Sequence, residues 1–292
     1  MRVVAAVGLT VLATVLLAAC ATGEAGVVAP DRVKAESFLA SPLPEMLRDD
    51  EELLLLIHGS GEGPSAWPAR VQAALAGRGS RDSRRIVRVD WASAAADRIV
   101  APRRGEQIGA ELARYLLRSF SPPGAITVVS HSAGAFVAHG FACELRRQEG
   151  GPVRARGAGR GRDWTEPIVT QLFLDPFLAR PPLRWRYGIR RFGTCADRAF
   201  AWVNTGDPVP FTSGFPRHAE GRDLTGREDL RSLAAGLTDS EAPGHWIPVA
   251  AFISMIEDTE PGVSIGQALA SGQHALSALH EDVYLLRFMR SF

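Results

Sequence analysis

Strand-length apolar runs alternate with helical segments along this chain, and this alternation constrains its fold more than any other feature. The runs ELLLLI from residue 52, RRIVRV from residue 84 and AITVVS from residue 125 are typical of strands buried on both faces. Apolar residues recur at helical spacing between the last two runs, and the segment after the third run is again helical in pattern. We therefore predict an α/β fold with a mostly parallel sheet that carries helices on both faces.

Later segments continue the pattern within the same domain. Residues 167–177 and 198–210 are apolar runs that each end in an Asp-Pro turn, and GHWIPVAAFISMIE places His245 just before an apolar helix. The chain has 292 residues, of which 22% are charged, and a formal net charge of +1. These values are ordinary for a soluble globular protein and do not indicate a nucleic-acid partner.

The first twenty residues, MRVVAAVGLTVLATVLLAAC, predict export. A basic start, an apolar run over residues 3–17 and small residues before Cys20 are typical of a secretory signal peptide over residues 1–19. LAAC also resembles the lipobox of bacterial lipoproteins, which implies lipidation of Cys20 and a membrane anchor on the periplasmic or extracellular face of a bacterial cell envelope. The alternative is a conventional signal peptide with an incidental cysteine. We interpret residues 20–45 as a tether and residues 46–292 as the domain.

The sequence SHSAG places Ser132 where a buried strand meets a helix. Small residues two positions before and after it, Ser130 and Gly134, let strand and helix approach closely enough to hold a nucleophile on a sharp turn. The usual pattern is G-x-S-x-G, from which Ser130 departs. Ser132 is therefore either a nucleophile or a structural serine on a tight turn.

A serine nucleophile needs a base and an acid that orients the base. His245 follows the last strand candidate in a loop bounded by Pro and Gly, whereas we expect His58 to be structural. Asp175 and Asp207 each end a strand candidate, at the edge where parallel sheets place their chemistry. Either carboxylate satisfies the chain order Ser, Asp, His.

Five short motifs, taken in order, resemble those of pancreatic-lipase-type α/β-hydrolases: LLLLIHGSGEGPSAW, VRVDW, VVSHSAGAF, LFLDP and GHWIP. They cover about residues 51–248. The resemblance implies that Ser132 is the nucleophile, His245 the base and Asp175 the acid, and that the amides of Ser60 and Ala133 hold the oxyanion. Other α/β-hydrolases take the acid from the next strand, which favours Asp207, the commoner position.

The resemblance implies an α/β-hydrolase fold and a serine hydrolase that cleaves carboxylic esters through an acyl-enzyme, without metal or organic cofactor. The substrate would be a small-molecule or lipid ester. Alternatives are thioester or amide hydrolysis or transacylation on the same triad, or a non-catalytic lipoprotein that keeps the fold as a binding module. The helical pattern after residue 264 departs from the pancreatic family, which has a second β-sandwich domain there.

Two further features leave alternatives open. Arginines and aromatic residues interleave over residues 180–192, which suits either a lid that contacts anionic lipid headgroups or an irregular surface loop. Cys143 and Cys195 are either a disulfide or two buried thiols, and their spacing gives no metal-site pattern.

Overall fold

In the computed structural model, the described residues lie within Lys34–Phe292. They are residues 35–40, 51–77, 84–97, 99–119, 123–149, 167–180, 184–238, 242–260 and 262–271. Within them lies a six-stranded sheet in which every pair of neighbours is parallel, in the order β2-β1-β3-β4-β5-β6. The strands are β1 Glu52–Ile57, β2 Arg84–Val89, β3 Ala125–His131, β4 Ile168–Leu174, β5 Arg198–Val203 and β6 Glu220–Asp223.

The connections between the strands are mostly helical, as the alternating pattern predicts. The α-helices among the described residues are α1 Trp67–Ala76, α2 Ala92–Ala95, α3 Ala101–Ser119, α4 Gly134–Glu149, α5 Tyr187–Arg191, α6 Glu228–Ala235, α7 Ile247–Asp258 and α8 Ile265–Ser271. Single 3₁₀ turns cover Ala35–Phe38 and Pro243–Trp246. The predicted fold class, a mostly parallel sheet flanked by helices, is confirmed.

The β1 strand explains why its sequence is apolar at nearly every position. Leu53, Leu55 and Ile57 point into a core shared with α3 and α4. Leu54 and Leu56 point into a second core shared with α1, α7 and α8. Because successive side chains leave a strand on opposite faces, a central strand covered on both sides has no solvent-facing position to fill with polar residues.

The contact between α3 and α4 depends on glycine. A Cβ atom added to Gly109 would lie 2.0 Å from the carbonyl oxygen of Val137, and one added to Gly140 would lie 2.2 Å from that of Glu106. Each glycine thus lets the backbone of one helix touch the other. This close packing fixes α4, which follows the turn that carries Ser132.

Residues 35–40 lie against the sheet. Leu39 forms an antiparallel bridge with Val89 at the end of β2, and Phe38 is buried in the core that α3 and α4 share. Within the stretch predicted to be a tether, residues 35–40 thus contact the domain through these two large apolar side chains.

The structure also decides between the two states of the cysteines. Cys143 on α4 and Cys195 before β5 form a disulfide, with their Cα atoms 4.9 Å apart. The predicted signal peptide, Cys20, residues 150–166 and the chain after residue 271 lie outside the described residues. No described helix combines the length and the apolar character needed to cross a membrane.

Candidate active site

Ser132 sits on a strained turn between β3 and α4. Its φ of 50° lies in the left-handed region, which residues with a side chain seldom adopt. The turn is held from both sides, since the Ser132 amide donates to the carbonyl oxygen of Leu174 and the Phe177 amide donates to that of Ser132, both at 3.0 Å. A Cβ atom on Gly134 would lie 2.6 Å from the carbonyl oxygen of His58, so only glycine fits there. This is the strand–turn–helix context expected of an exposed nucleophile.

The loop after β1 lies directly against this turn. A Cβ atom on Gly59 would be 3.0 Å from the Cβ of Ser132, so the absent side chain is what permits the approach. The Ser60 hydroxyl donates to the carbonyl oxygen of Ala95 at 2.7 Å, which fixes the loop. Among the described residues, none accepts a hydrogen bond from the amide of Ser60 or of Ala133. Both N–H groups therefore remain available to a bound anion.

His58 is structural, as the sequence indicates. Its Nδ1 lies 2.8 Å from the carbonyl oxygen of Gly59, and its Nε2 accepts from the Trp91 amide at 3.3 Å. The Trp91 indole donates in turn to the His58 carbonyl oxygen at 2.7 Å. Burial lowers the pKa of His58, which favours the neutral ring that this arrangement requires. The ring therefore holds the loop rather than moving protons.

His245 lies in the 3₁₀ turn before α7 and pairs with Asp207. Its Nδ1 is 2.6 Å from Asp207 Oδ2, and the same oxygen accepts from the Thr212 hydroxyl at 2.6 Å. Burial raises the pKa of Asp207, but the hydrogen bonds from His245 and Thr212 lower it by more, so the pKa of this carboxyl lies below its usual value. An ionised Asp207 holds the Nδ1–H tautomer and leaves Nε2 with a free lone pair.

Asp175 lies behind this pair and is fully buried. Its Oδ2 is 3.8 Å from His245 Nδ1 and has no hydrogen-bond partner among the described residues. Its Oδ1 accepts a hydrogen bond from the backbone N–H of Asn204 at 2.8 Å. Burial raises the pKa of Asp175 well above its usual value, and the negative charge of Asp207 adds to this. Of the two predicted acids, Asp207 is the one in hydrogen-bonding distance of His245.

The structure adds a second histidine–carboxylate pair that the sequence did not reveal. His131, the last residue of β3, has Nδ1 at 2.6 Å from Glu62 Oε1 and Nε2 at 3.1 Å from the carbonyl oxygen of His245. Glu62 also accepts from the Gly59 amide at 3.0 Å. This bridge joins the loop after β1 to the loop of His245 across the nucleophile turn. No local pattern signals it, because Glu62 and His131 are 69 residues apart.

The rings of His131 and His245 lie with their centroids 4.6 Å apart, which brings the candidate base next to the turn of Ser132. Burial lowers the pKa of His245, and His131 lowers it further, while Asp207 acts in the opposite direction. The net direction is down, so His245 is neutral at neutral pH and able to accept a proton.

Two groups of side chains have the composition of metal ligands. Asp175, Asp207 and His245 offer ligand atoms within 4.8 Å of one another, but the short hydrogen bond between Asp207 and His245 already uses two of these atoms. His139 lies beside Cys143 and Cys195, whose sulfurs are joined in the disulfide and so are not thiolate ligands. The chemistry of these groups fits a proton-transfer site better than a metal site.

Residues 54–283 match the sequence profile of the alpha/beta hydrolase family. The chain belongs to this family. The six-stranded parallel sheet and the serine on its turn are the features through which this alpha/beta hydrolase shares the family architecture. Membership supports hydrolase activity without indicating a substrate.

Solved structures that match parts of this chain include several esterases. A lipase-esterase related protein from Clostridium acetobutylicum is 12% identical, with a TM-score of 0.30, and the match covers 49% of this chain and only 48% of that one. A lipase/esterase from Lactobacillus plantarum is 16% identical, with a TM-score of 0.36, over 64% of this chain and 86% of that one. Thermogutta terrifontis esterase 2, phosphorylated by paraoxon, is 15% identical, with a TM-score of 0.38, over 76% and 88%. Similarity at this level does not by itself indicate an activity. A comparison with curated protein sequences found no match.

Proposed function

We propose that this alpha/beta hydrolase cleaves carboxylic esters through an acyl-enzyme formed on Ser132. The observation that carries the proposal is the 2.6 Å contact between His245 and Asp207, beside a turn that holds a serine at φ 50°. A histidine oriented by a carboxylate, next to a serine in strained geometry, is the arrangement that activates a hydroxyl group for acyl transfer.

The chemistry follows from the roles of the individual groups. His245 Nε2 takes the proton of the Ser132 hydroxyl as Oγ attacks the ester carbonyl carbon, and Asp207 stabilises the imidazolium that forms. The amides of Ser60 and Ala133 hold the negative oxygen of the tetrahedral intermediate. When the intermediate collapses, the bond to the alcohol breaks and His245 returns the proton to it. Water then attacks the acyl-enzyme while His245 accepts its proton, and the carboxylic acid leaves as Ser132 regains a proton from His245.

The class of ester and the cellular location are further proposals. The five motifs resemble pancreatic-lipase-type enzymes, and we infer a small-molecule or lipid ester as the substrate. We also infer export and anchoring through a lipidated Cys20, on the lipobox-like LAAC. If both inferences hold, we expect the activity at the surface of a bacterial membrane. Thioester hydrolysis, amide hydrolysis and acyl transfer to another acceptor proceed by the same chemistry and are the alternative reactions.

The test is hydrolysis of a series of p-nitrophenyl esters, from acetyl to palmitoyl, by the wild type and Ser132→Ala. We expect the substitution to lower kcat by about 10⁴-fold or more. Ser130→Ala is the matched control, because the buried Ser130 hydroxyl has no hydrogen-bond partner among the described residues. A fluorophosphonate should label the wild type and Ser130→Ala but not Ser132→Ala.

Two results would count against the proposal. Labelling that survives Ser132→Ala would place the nucleophile elsewhere. A wild type as inert as Ser132→Ala on every ester, and unlabelled, would favour a non-catalytic binding module.

A further inference from the structure

A groove of about 770 Å³, here called the arginine groove, lies on the segment between β4 and β5. It is lined by the five arginines of residues 180–191 together with Trp185 and Tyr187. No step of the mechanism above uses it.

Within the described part of the chain, one of the five arginines of this groove pairs with an acidic residue. Arg180 pairs with Glu106 at 3.2 Å and lies over the ring of Tyr187 at 4.9 Å. The other four are exposed, and within the described part of the chain none has an acidic partner. Five guanidinium groups around one groove repel each other, and an anion bound among them removes that cost. Their planar forks match the oxygens of a phosphate or a carboxylate.

The backbone that presents these arginines is held to the domain. Arg180 and Arg184 exchange backbone hydrogen bonds at 2.9 and 3.0 Å, and the Gly188 amide donates to the carbonyl oxygen of Leu178 at 2.8 Å. Phe192 is fully buried, and the disulfide of Cys195 follows three residues later. A charged site on a fixed backbone loses less conformational entropy when it binds a ligand than one on a free loop.

The positive charge of the groove also reaches the interior. His139 on α4 has its pKa lowered to about 4, by burial first and then by Arg191 and Arg180. The potential of the groove therefore extends beyond the side chains that line it.

A row of aromatic side chains leads from the groove to the nucleophile. Trp185 stacks on Phe211 with ring centroids 5.3 Å apart, and Phe211 meets the edge of Phe177 at 6.0 Å. The Phe177 amide is the one that donates to the Ser132 carbonyl oxygen. The row thus begins at the arginine groove and ends at the turn of the nucleophile.

Phe211 is held in an unfavourable conformation. Its φ is 67°, and its side chain is 47% exposed although it is large and apolar. It directly precedes Thr212, whose hydroxyl donates to Asp207. Backbone strain of this kind concentrates where a ligand is clamped. An exposed, strained aromatic residue between the groove and the acid therefore points to a bound molecule that covers both.

We propose that the arginine groove binds an acidic group, phosphate or carboxylate, of the ester that Ser132 attacks, and that the aromatic row contacts the apolar part of the same molecule. This inference rests on the proposed function and narrows its substrate class to acidic amphiphilic esters.

The test compares two soluble esters that differ only in the acidic group, 1-butyrylglycerol 3-phosphate and 1-butyrylglycerol, with butyrate release as the readout. We expect kcat/KM to be at least about tenfold higher for the phosphate ester, as one or two charge-assisted hydrogen bonds provide. The preference should shrink with added salt. In the double variant Arg184→Gln/Arg190→Gln the ratio of the two values should fall toward one, and Arg190→Lys should keep part of it. Arg118→Gln, at an exposed arginine of α3 outside the groove, is the matched control and should keep the full ratio.

Calorimetric titration of Ser132→Ala with inorganic phosphate separates this inference from the proposed function. Binding that the two arginine substitutions abolish supports the groove as an anion site even if neither ester is hydrolysed, in which case the proposed function fails. If both esters are hydrolysed at equal kcat/KM, the substrate inference is overturned while the function stands. If the groove binds phosphate but the two esters have equal kcat/KM, the substrate inference is likewise overturned, because the groove would then hold a free anion only.

Discussion

Two carboxyl groups approach Nδ1 of His245, and their surroundings shift their pKa values in opposite directions. Asp207, at 2.6 Å, accepts hydrogen bonds that lower its pKa. Asp175, at 3.8 Å, is fully buried and has its pKa raised. Burial thus disfavours the charged form of Asp175, while the hydrogen bonds of Asp207 favour its charged form, and only an ionised carboxylate stabilises the imidazolium of the reaction.

Asparagine substitutions distinguish the two acids. We expect Asp207→Asn to lower kcat by about 10²- to 10⁴-fold, because the amide does not stabilise the correct tautomer of His245. Asp175→Asn puts an amide of similar shape in place of a carboxyl group whose charged form burial disfavours, so kcat should stay within about tenfold. Steady-state kinetics on p-nitrophenyl butyrate checks both. A larger loss in Asp175→Asn than in Asp207→Asn would reverse the assignment.

The bridge between Glu62 and His131 also depends on protons. Both nitrogens of His131 face acceptors, the Glu62 carboxylate and the carbonyl oxygen of His245. A neutral ring has one N–H, so beside an ionised Glu62 it donates in only one of the two contacts. Both contacts are hydrogen bonds only when His131 or Glu62 carries one further proton. The bridge supports the Gly59 amide and the His245 loop at once, so it positions the loop after β1 against the loop of His245.

Glu62→Ala should lower kcat by roughly 10- to 100-fold with a small change in KM, because it removes the support of both loops. Glu62→Gln should stay within about fivefold of the wild type, because its amide can accept from Gly59 and donate to a neutral His131. Kinetics beside thermal melting checks this. Equal losses in both variants would show that the charge, rather than the bridge, matters.

The pH dependence of activity follows from the environment of His245. The groups that face it are Asp207, Asp175, His131 and Glu62. Because its pKa is lowered from 6.5, His245 stays neutral as the pH falls through 6.5 and loses its basic form only below that value. We expect the acidic limb of kcat/KM against pH to have its midpoint below 6.5, measured on a soluble ester. A midpoint at or above 6.5 would contradict the burial of the base.

The packing of α3 on α4 sets the position of α4, which follows the turn of Ser132. The Cβ of an alanine at Gly109 would overlap the backbone of α4 at Val137 and Phe141. The two helices would have to separate, and α4 would shift away from the turn that it supports.

Gly109→Ala should destabilise the domain by about 1–3 kcal/mol, although alanine favours helix over glycine. Gly77→Ala is the matched control at the end of α1, where the nearest atoms to an added Cβ are 3.8 Å away, and its stability should change by at most about 0.5 kcal/mol. Urea unfolding measures both. A Gly109→Ala variant as stable as the wild type would mean that the helices separate at no cost.

The predicted lipid anchor lies at Cys20, outside the described part of the structure. If Cys20 is lipidated, the wild type should fractionate with membranes and Cys20→Ala should appear in the soluble fraction, because the acyl chains provide the anchor. Mass spectrometry of the N-terminal peptide checks the modification directly. An unmodified Cys20 in the exported chain would leave a conventional signal peptide as the explanation.

Local sequence patterns were enough to predict the architecture and the candidate groups. The apolar run of β1, the alternation with helices and the turns at Ser132, Asp175 and Asp207 are local patterns. Local patterns report how a short segment is buried and where it turns, because a strand covered on both faces and a turn between strand and helix each restrict their own residues. For the same reason, the order of the motifs was enough to predict the fold family.

Which of these groups meet depends on how distant parts of the chain pack together. Both acids end neighbouring strands, and the difference between 2.6 and 3.8 Å at His245 arises from how the loops beyond those strands pack. The disulfide of Cys143 with Cys195 joins residues 52 positions apart, and the bridge of Glu62 with His131 spans 69. Contacts at such separations depend on the placement of whole elements in three dimensions, which no periodicity within a single segment encodes.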